Sequence, residues 1–156
     1  MTTVDVLADI HEITKVKARY CRLIDTKRWD KLAGELTEDF VFDDEAKQLR
    51  LDCADAFLSF LRERHSYSIS IHQAAMPEID VSDDHTAVGT WAMSDFVQIP
   101  HTADITVQRG YGYYYDSFRK VDGQWLLGEV RLTRLWLSVG RETRLPHDLL
   151  GRTTAE

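Results

Sequence analysis

Three polar side chains, Tyr20, Asp25 and His72, are of types that could do acid–base chemistry in a pocket. Tyr20 continues an apolar helical stripe and points inward with it, and Asp25 follows the last apolar residues of that stripe. His72 lies in "ISIHQA", where it shares a strand face with the small residues Ser70 and Ala74, as expected for a cavity wall. We therefore take a phenol, a carboxylate and an imidazole as candidate pocket residues.

Each of these three residues also has a simpler structural explanation. Tyr20 could be a core aromatic residue whose hydroxyl group bonds to a backbone carbonyl. Asp25 could cap the next helix, form part of the turn that leads into it, or face water. His72 could lie on a solvent-facing strand surface with no chemical role. The local patterns alone leave these alternatives open.

The first part of the chain has a helical pattern that would position Tyr20 and Asp25. Apolar residues recur there every three or four positions, which is typical of an amphipathic helix. Gly34 favours the end of a second, short helix, and Asp52 is a plausible N-cap for a third. The predicted elements are helices at 4–24, 28–35 and 52–65, with a short strand and turn at 40–46.

The second part of the chain has the pattern of a sheet that would position His72. Long segments rich in β-branched and aromatic residues are separated by the turn sequences "SDDH" and "VDGQ". Helices followed by consecutive antiparallel strands predict an α+β fold in which the concave face of the sheet wraps the helices. The predicted strands are 68–81, 85–99, 103–121 and 124–139.

Composition excludes several classes of protein. A chain of 156 residues with 44% hydrophobic residues is expected to form one globular domain. The net charge is −7 and basic residues form no block, so we expect no nucleic-acid partner. No apolar run approaches about 18 residues and the N-terminus lacks the pattern of a signal peptide, so we expect no membrane span and a cytoplasmic protein.

Cysteines, histidines and glycines give no sign of a metal or phosphate site. Cys21 and Cys53 are isolated, and we expect two reduced, buried thiols, although a disulfide between them stays possible. The histidines show neither a His-x-His pair nor a helical i, i+4 pair, so no metal site is expected. In "GYGYYYDSF", Gly110 and Gly112 are expected to ease sheet curvature.

Three segments of the sequence resemble a known family. They are "ARYCRLIDTKRWDKLAGELTEDFVF", "SIHQAAMPEIDV" and "GYGYYYDSFRKVDGQWLLGEVRLTRL". Together they resemble the SnoaL-like branch of the nuclear transport factor 2-like (NTF2-like) superfamily. The resemblance implies a cone-shaped fold in which three N-terminal helices pack on a curved antiparallel sheet. We expect this domain to span 1–140. Residues 141–156 are too polar and loop-like for a core, so we expect a C-terminal tail that covers the cavity mouth or docks on a neighbour.

The same resemblance implies a set of site residues. The lyases of this superfamily use an Asp–His dyad, which falls on Asp25 and His72, and a tyrosine that falls on Tyr20. An acidic residue and a late arginine of one such lyase fall near Asp95 and Arg134. The alternation of side chains along the strand supports this assignment for Arg134, because Arg134 lies on the same strand face as the apolar residues Val130 and Leu132. We expect catalysis by Asp25, His72 and Tyr20, and substrate binding by Asp95, Arg134 and the same-face residues Trp91 and Met93.

The expected function is a dehydratase-like lyase that requires no cofactor and acts on a small, largely apolar cyclic substrate. An isomerase or polyketide-cyclase-like enzyme with the same pocket is one alternative. A non-catalytic small-molecule-binding module is another, because this fold serves many functions. The resemblance also implies self-association as a homodimer or homotrimer.

Overall fold

The computed structural model describes residues 2–101 and 104–143 of the chain. In these ranges three helices accompany one curved six-stranded sheet, which is an α+β arrangement as predicted. In chain order, the elements are α1 (Thr3–Asp25), α2 (Trp29–Ala33), β1 (Leu36–Asp44), a 3₁₀ turn (Glu45–Lys47), β2 (Leu49–Leu51), α3 (Ala54–His65), β3 (Ile69–Val81), β4 (Thr86–Pro100), β5 (Asp104–Val121) and β6 (Gln124–Thr143).

Helix α1 forms where the apolar stripe predicts it. Thr2 and Asp5 make a capping box, which satisfies backbone N–H groups of the first turn. The stripe is buried, with Ile13, Val16 and Tyr20 each at most 2% exposed. Burial of this stripe against the sheet holds the last two turns of α1, which carry Tyr20 and Asp25, at a fixed position over the inner sheet face.

The sheet has the strand order β2-β1-β6-β5-β4-β3. Strands β3 to β6 form the predicted antiparallel meander, but β1 pairs with β6 in parallel, so the sheet is mixed and not wholly antiparallel. After β1 the chain crosses through α3 to the far edge and returns through the meander, which places β6 alongside β1 in the same direction. Strand β2 was not predicted because three residues are too few to show a periodic pattern.

A bulge in β6 decides which side chains of that strand face the interior. Gly112 pairs with Arg134 and Tyr111 pairs with Trp136, so Leu135 has no partner in β5. The alternation that precedes the bulge keeps Arg134 on the inner face, where its side chain is 3% exposed. Leu135 and Trp136 are both exposed on the outside.

Two boundary predictions, at the start of α3 and at the end of β6, differ from the structure. The N-cap of α3 is Cys53 and not Asp52, and its sulfur accepts a hydrogen bond from the backbone N of Ala56 at 3.4 Å. Strand β6 continues to Thr143, so residues 141–143 belong to the sheet and not to a tail. The rest of the expected tail, 144–156, lies outside the described residues.

The remaining expectations concern cysteines and membranes. Both cysteines are free; Cys21 is buried as expected, whereas Cys53 is only partly buried because it caps α3 at the surface. No helix within residues 2–101 and 104–143 is long and apolar enough to cross a membrane.

Candidate functional site

The inner sheet face and helices α1 and α3 border a small, partly open cavity of about 60 Å³, which we call the interior cavity. Its apolar walls come from α1, α3 and the strands, and its polar lining is unusually rich for a core. The polar and aromatic hydroxyl-bearing residues that line it are Tyr20, Asp44, Lys47, His65, His72, Asp95, Gln108, Tyr114 and Arg134.

Asp25 and His72 lie within hydrogen-bonding distance of each other. The Nδ1 atom of His72 is 2.7 Å from Oδ1 of Asp25, and the two side chains are 13% and 21% exposed. A carboxylate only accepts hydrogen bonds, so His72 carries its proton on Nδ1 and donates it to Asp25. In the neutral imidazole this arrangement leaves Nε2 as the nitrogen without a proton, and the ring borders the interior cavity.

The carboxylate of Asp25 is held by two further donors. The backbone N–H of His72 donates to Oδ2 at 2.8 Å, and the hydroxyl of Ser70 donates to Oδ1 at 2.9 Å. Ser70 in turn accepts a hydrogen bond from Nζ of Lys27 at 2.8 Å. Asp25 is not the cap of α2, whose N-cap position is Arg28 without a side-chain hydrogen bond.

Tyr20 is a core aromatic residue and also a cavity residue. It is 2% exposed, and its ring stacks on Phe57 with centroids 6.2 Å apart and planes 6° from parallel. Both Tyr20 and His72 line the interior cavity. Burial raises the pKa of the Tyr20 phenol well above 10, so the hydroxyl keeps its proton at neutral pH.

Asp95, which pairs with His72 across strands β3 and β4, forms a buried ion pair with Arg134. Nη2 of Arg134 lies 2.8 Å from Oδ2 of Asp95 and 3.2 Å from Oδ2 of Asp44. The neighbouring carboxylates raise the pKa of Arg134 against the opposing effect of burial, so the guanidinium stays charged. Gln108 donates to Oδ2 of Asp95 at 3.3 Å.

This cluster has buried polar atoms with no hydrogen-bond partner among the described residues. They are Nη1 of Arg134, Oδ1 of Asp95 and Oδ1 of Asp44. A buried polar atom without a partner is destabilising, typically by about 1–3 kcal/mol, unless a ligand or water satisfies it. The cluster therefore offers both donors and acceptors to the polar end of a bound molecule.

The other two predicted binding residues lie elsewhere. Met93 is 3% exposed and borders an open groove of about 690 Å³ beside α1, a groove that Asp25 and His72 also border. Trp91 packs in the hydrophobic core and lines neither this groove nor the interior cavity. The structure thus places Tyr20, His72, Asp95 and Arg134 in the lining of the interior cavity and leaves Trp91 and Met93 outside it. Asp25 does not line this cavity and is connected to it through its contact with Nδ1 of His72.

Sequence reasoning missed a second imidazole. His65 ends α3, lines the interior cavity and packs near Phe60, with ring centroids 6.0 Å apart. Burial, together with the proximity of His72, lowers the pKa of His65 to about 4, so it is neutral at pH 7. Its isolation in the sequence gave no signal, whereas Ser70 could have been found because it shares a strand face with His72.

The arrangement can support proton transfer at carbon. An unprotonated Nε2 whose ring is oriented by a carboxylate is a general base, and a buried phenol is a hydrogen-bond donor to developing negative charge. The Arg134 cluster can hold a polar substituent, and the apolar walls can contact the apolar part of a bound molecule.

Comparisons with known proteins agree with this fold. A scytalone dehydratase-like protein from Novosphingobium aromaticivorans is similar to this chain with a TM-score of 0.78 and 21% identity, over 88% of this chain and 91% of that one. A protein of unknown function from Mycobacterium tuberculosis is similar with a TM-score of 0.69 and 27% identity, over 86% of this chain and 76% of that one. A hexachlorocyclohexane dehydrochlorinase is similar with a TM-score of 0.75 and 12% identity, over 94% of this chain and 99% of that one. The model of the SnoaL-like domain matches residues 5–131, and this chain therefore belongs to the SnoaL-like domain family of the NTF2-like superfamily.

Proposed function

We propose that this protein is a lyase that needs no cofactor and removes water or another small leaving group from a cyclic, largely apolar molecule. The observation that supports this most is the 2.7 Å contact between Asp25 and Nδ1 of His72 at the wall of an interior cavity. Structures similar to this chain include proteins named as a dehydratase and a dehydrochlorinase, and both names denote elimination reactions.

The proposed reaction begins when Nε2 of His72 takes a proton from a carbon next to a carbonyl group. The C–H electron pair forms an enolate, and Asp25 stabilises the imidazolium that results. The enolate then collapses to the carbonyl with a conjugated carbon–carbon double bond as the hydroxyl group departs, and the His72 imidazolium returns its proton to that hydroxyl group, which leaves as water. General acid–base groups of this kind each contribute about 10²–10⁴-fold.

Tyr20 is proposed to donate a hydrogen bond to the enolate oxygen or to the departing hydroxyl group. Because burial raises its pKa well above 10, stabilisation by a hydrogen bond is easier for this phenol than complete transfer of its proton. Nη1 of Arg134, which has no partner among the described residues, would bind a second oxygen of the substrate.

The high pKa of Tyr20 also favours a second candidate function. An isomerase or a cyclase uses the same base and the same enolate but does not protonate a leaving group. Product analysis separates these reactions, because only elimination changes the composition of the substrate.

The size of the interior cavity limits how a substrate could bind. A volume of about 60 Å³ is well below the roughly 300–1,000 Å³ of typical small-molecule sites. Part of the wall must therefore move outward. We expect the segment 45–51 to move, because it contains the 3₁₀ turn and the three-residue edge strand β2 and contributes Lys47 and Leu49 to the lining.

The test is an elimination assay with cyclic β-hydroxy ketones, scytalone among them, and with hexachlorocyclohexane. We expect turnover of at least one compound, measured from the conjugated product, and a loss of about 10²–10⁴-fold in His72→Ala. His85→Ala serves as a control because that exposed histidine lies in the turn between β3 and β4. Equal rates in the wild type and His72→Ala would refute the proposal, and binding without turnover would favour a binding module.

A further inference from the structure

Lys27 occupies a backbone position that normally belongs to glycine. It follows the C-cap of α1 with φ of 59°, in the left-handed region. The N–H of Lys27 donates to the carbonyl of Ile24 at 3.1 Å, and the N–H of Arg28 donates to that of Leu23 at 2.9 Å. This is a Schellman motif with lysine at C′, where glycine avoids the steric penalty of a Cβ atom. Because the backbone disfavours lysine here, the reason for its presence lies in its side chain.

The side chain of Lys27 reaches the inner face of β3. Its Nζ atom donates to the hydroxyl of Ser70 at 2.8 Å and lies 3.3 Å from the hydroxyl of Ser68. Both serines are buried, at 6% and 7% exposure. Ser70 bridges Lys27 and Asp25, because its hydroxyl also donates a hydrogen bond to Oδ1 of Asp25 at 2.9 Å. The ammonium group is thus one hydrogen-bonded residue away from the carboxylate that orients His72.

The same ammonium group is also connected to the second imidazole of the cavity. The hydroxyl of Ser68 donates to the backbone carbonyl of His65 at 2.9 Å and lies 3.5 Å from Nδ1 of the His65 ring. A chain of polar contacts therefore runs from His65 through Ser68, Lys27 and Ser70 to Asp25, and from there to His72.

We infer that Lys27 is a positioning residue for the Asp25–His72 pair: through Ser70 it fixes the carboxylate, and through Ser68 it places its charge beside His65. This inference rests on the proposed function, because it assigns Lys27 a role in preparing the base of that reaction. Lys27 itself lines neither the interior cavity nor the open groove beside α1.

The charge of Lys27 also separates the roles of the two cavity imidazoles. The charged or titratable groups that act on His65 are His72, Lys27, Lys47 and Asp95, and the first three lower its pKa in addition to burial. His65 is therefore kept neutral mainly by burial, and the charges of Lys27 and Lys47 add to this effect. His72 has the carboxylate of Asp25 as its partner, so it is the imidazole that accepts the proton.

The experiment uses proton and nitrogen NMR of the full chain with isotope-labelled histidine, in the wild type, Lys27→Gly and Lys27→Arg. Lys31→Gln, at an exposed position of α2, controls for the loss of one surface charge. In Lys27→Gly we expect the His72 Nδ1 proton resonance to broaden by faster exchange with water. We also expect the protonation constant of His65 to rise about threefold or more, because a nearby cation is removed. Lys27→Arg should retain both wild-type signals.

Urea unfolding of the same variants separates this role from a structural one. Glycine relieves the left-handed strain, so Lys27→Gly should be as stable as the wild type or more stable. Unchanged histidine signals in a folded Lys27→Gly would overturn the inference and leave the proposed function intact. A wild-type spectrum without a bonded His72 Nδ1 proton would overturn the pair, and the proposed function with it. Lys27→Asn, which also tolerates this φ, replaces glycine if that variant does not fold.

Discussion

The guanidinium group of Arg134 occupies the space that a side chain at position 110 would fill. A Cβ atom on Gly110 would lie 2.6 Å from Oδ1 of Asp95 and closer still to Nη1 of Arg134. Glycine at this position of β5 is therefore what allows the buried pair between β4 and β6 to form. This is a local requirement for space at the site, in addition to any contribution to sheet curvature.

Gly110→Ala should displace this guanidinium group and destabilise the protein. Overpacking of a core position typically costs about 1–3 kcal/mol in the free energy of unfolding, which urea denaturation measures. Gly140→Ala is the matched control, because a Cβ atom there meets nothing within 4 Å. An equal effect of the two substitutions would show that the space beside Gly110 is not needed by Arg134.

The inward faces of the long strands could be predicted from sequence because alternation is preserved along them. His72 and Asp95 follow this rule, and Arg134 follows it because the bulge in β6 comes one residue later. Lys27 and His65 could not be found in this way. Their roles depend on contacts between elements more than 35 residues apart in the chain, such as that of Lys27 with Ser70, and single-residue patterns carry no information about them.

Other features were missed because tertiary geometry overrides the local pattern. Strand β2 is too short for periodicity, and the parallel pairing of β1 with β6 follows from the path of the chain and not from either strand's residues. Lys17 has the appearance of an ordinary helical surface residue in the sequence, yet its side chain is fully buried against Asp116.

Tyr20→Phe should slow the reaction and leave the fold intact. The change removes one hydroxyl group and keeps the ring that stacks on Phe57. Removal of one donor to a developing oxyanion costs about 10²–10³-fold in kcat in well-studied cases. Tyr113→Phe, on the exposed outer face of β5, should have no effect. A loss of thermal stability in Tyr20→Phe without a loss of rate would instead support a purely structural role.

The ion pair between Lys17 and Asp116 should make stability depend on pH. Nζ of Lys17 lies 2.8 Å from Oδ2 of Asp116, and both side chains are fully buried. Burial raises the pKa of Asp116 from 3.8 to about 6, against the opposing effect of Lys17. Since this folded-state pKa exceeds the unfolded one, the contribution of Asp116 to stability is present below about pH 4 and is lost as the pH rises through about 6.

A double variant, Lys17→Met with Asp116→Leu, removes this dependence. We expect it to be about as stable as the wild type or more stable by up to about 4 kcal/mol at pH 7, since apolar residues often replace a buried ion pair without loss. Its advantage should shrink at pH 4, by up to about 3 kcal/mol. Urea unfolding at the two pH values measures both quantities. The exposed pair Glu12→Gln with Lys15→Gln is the control, and an advantage that does not change with pH would contradict the assignment.

The segment 45–51 should exchange its amide protons faster than the central strands. Strand β2 is held at the sheet edge by three residue pairs with β1, and Gln48 beside it has a left-handed φ of 51°. Hydrogen exchange followed by mass spectrometry should show lower protection there than in the part of β5 at 110–118, which is paired on both sides. A bicyclic ketone in the interior cavity should slow exchange in the segment 45–51. Protection as high as that of β5 would mean that this wall does not open.

The most direct test of the account follows the abstraction of a carbon-bound proton without a leaving group. The protein is incubated in D₂O with 2-tetralone, a bicyclic apolar ketone, and deuterium incorporation next to the carbonyl is measured by NMR. We predict catalysed incorporation by the wild type and a loss of about 10²–10⁴-fold in His72→Gln and in Asp25→Asn. Incorporation at the same rate in all three proteins would contradict the claim that Asp25 and His72 act together as a base.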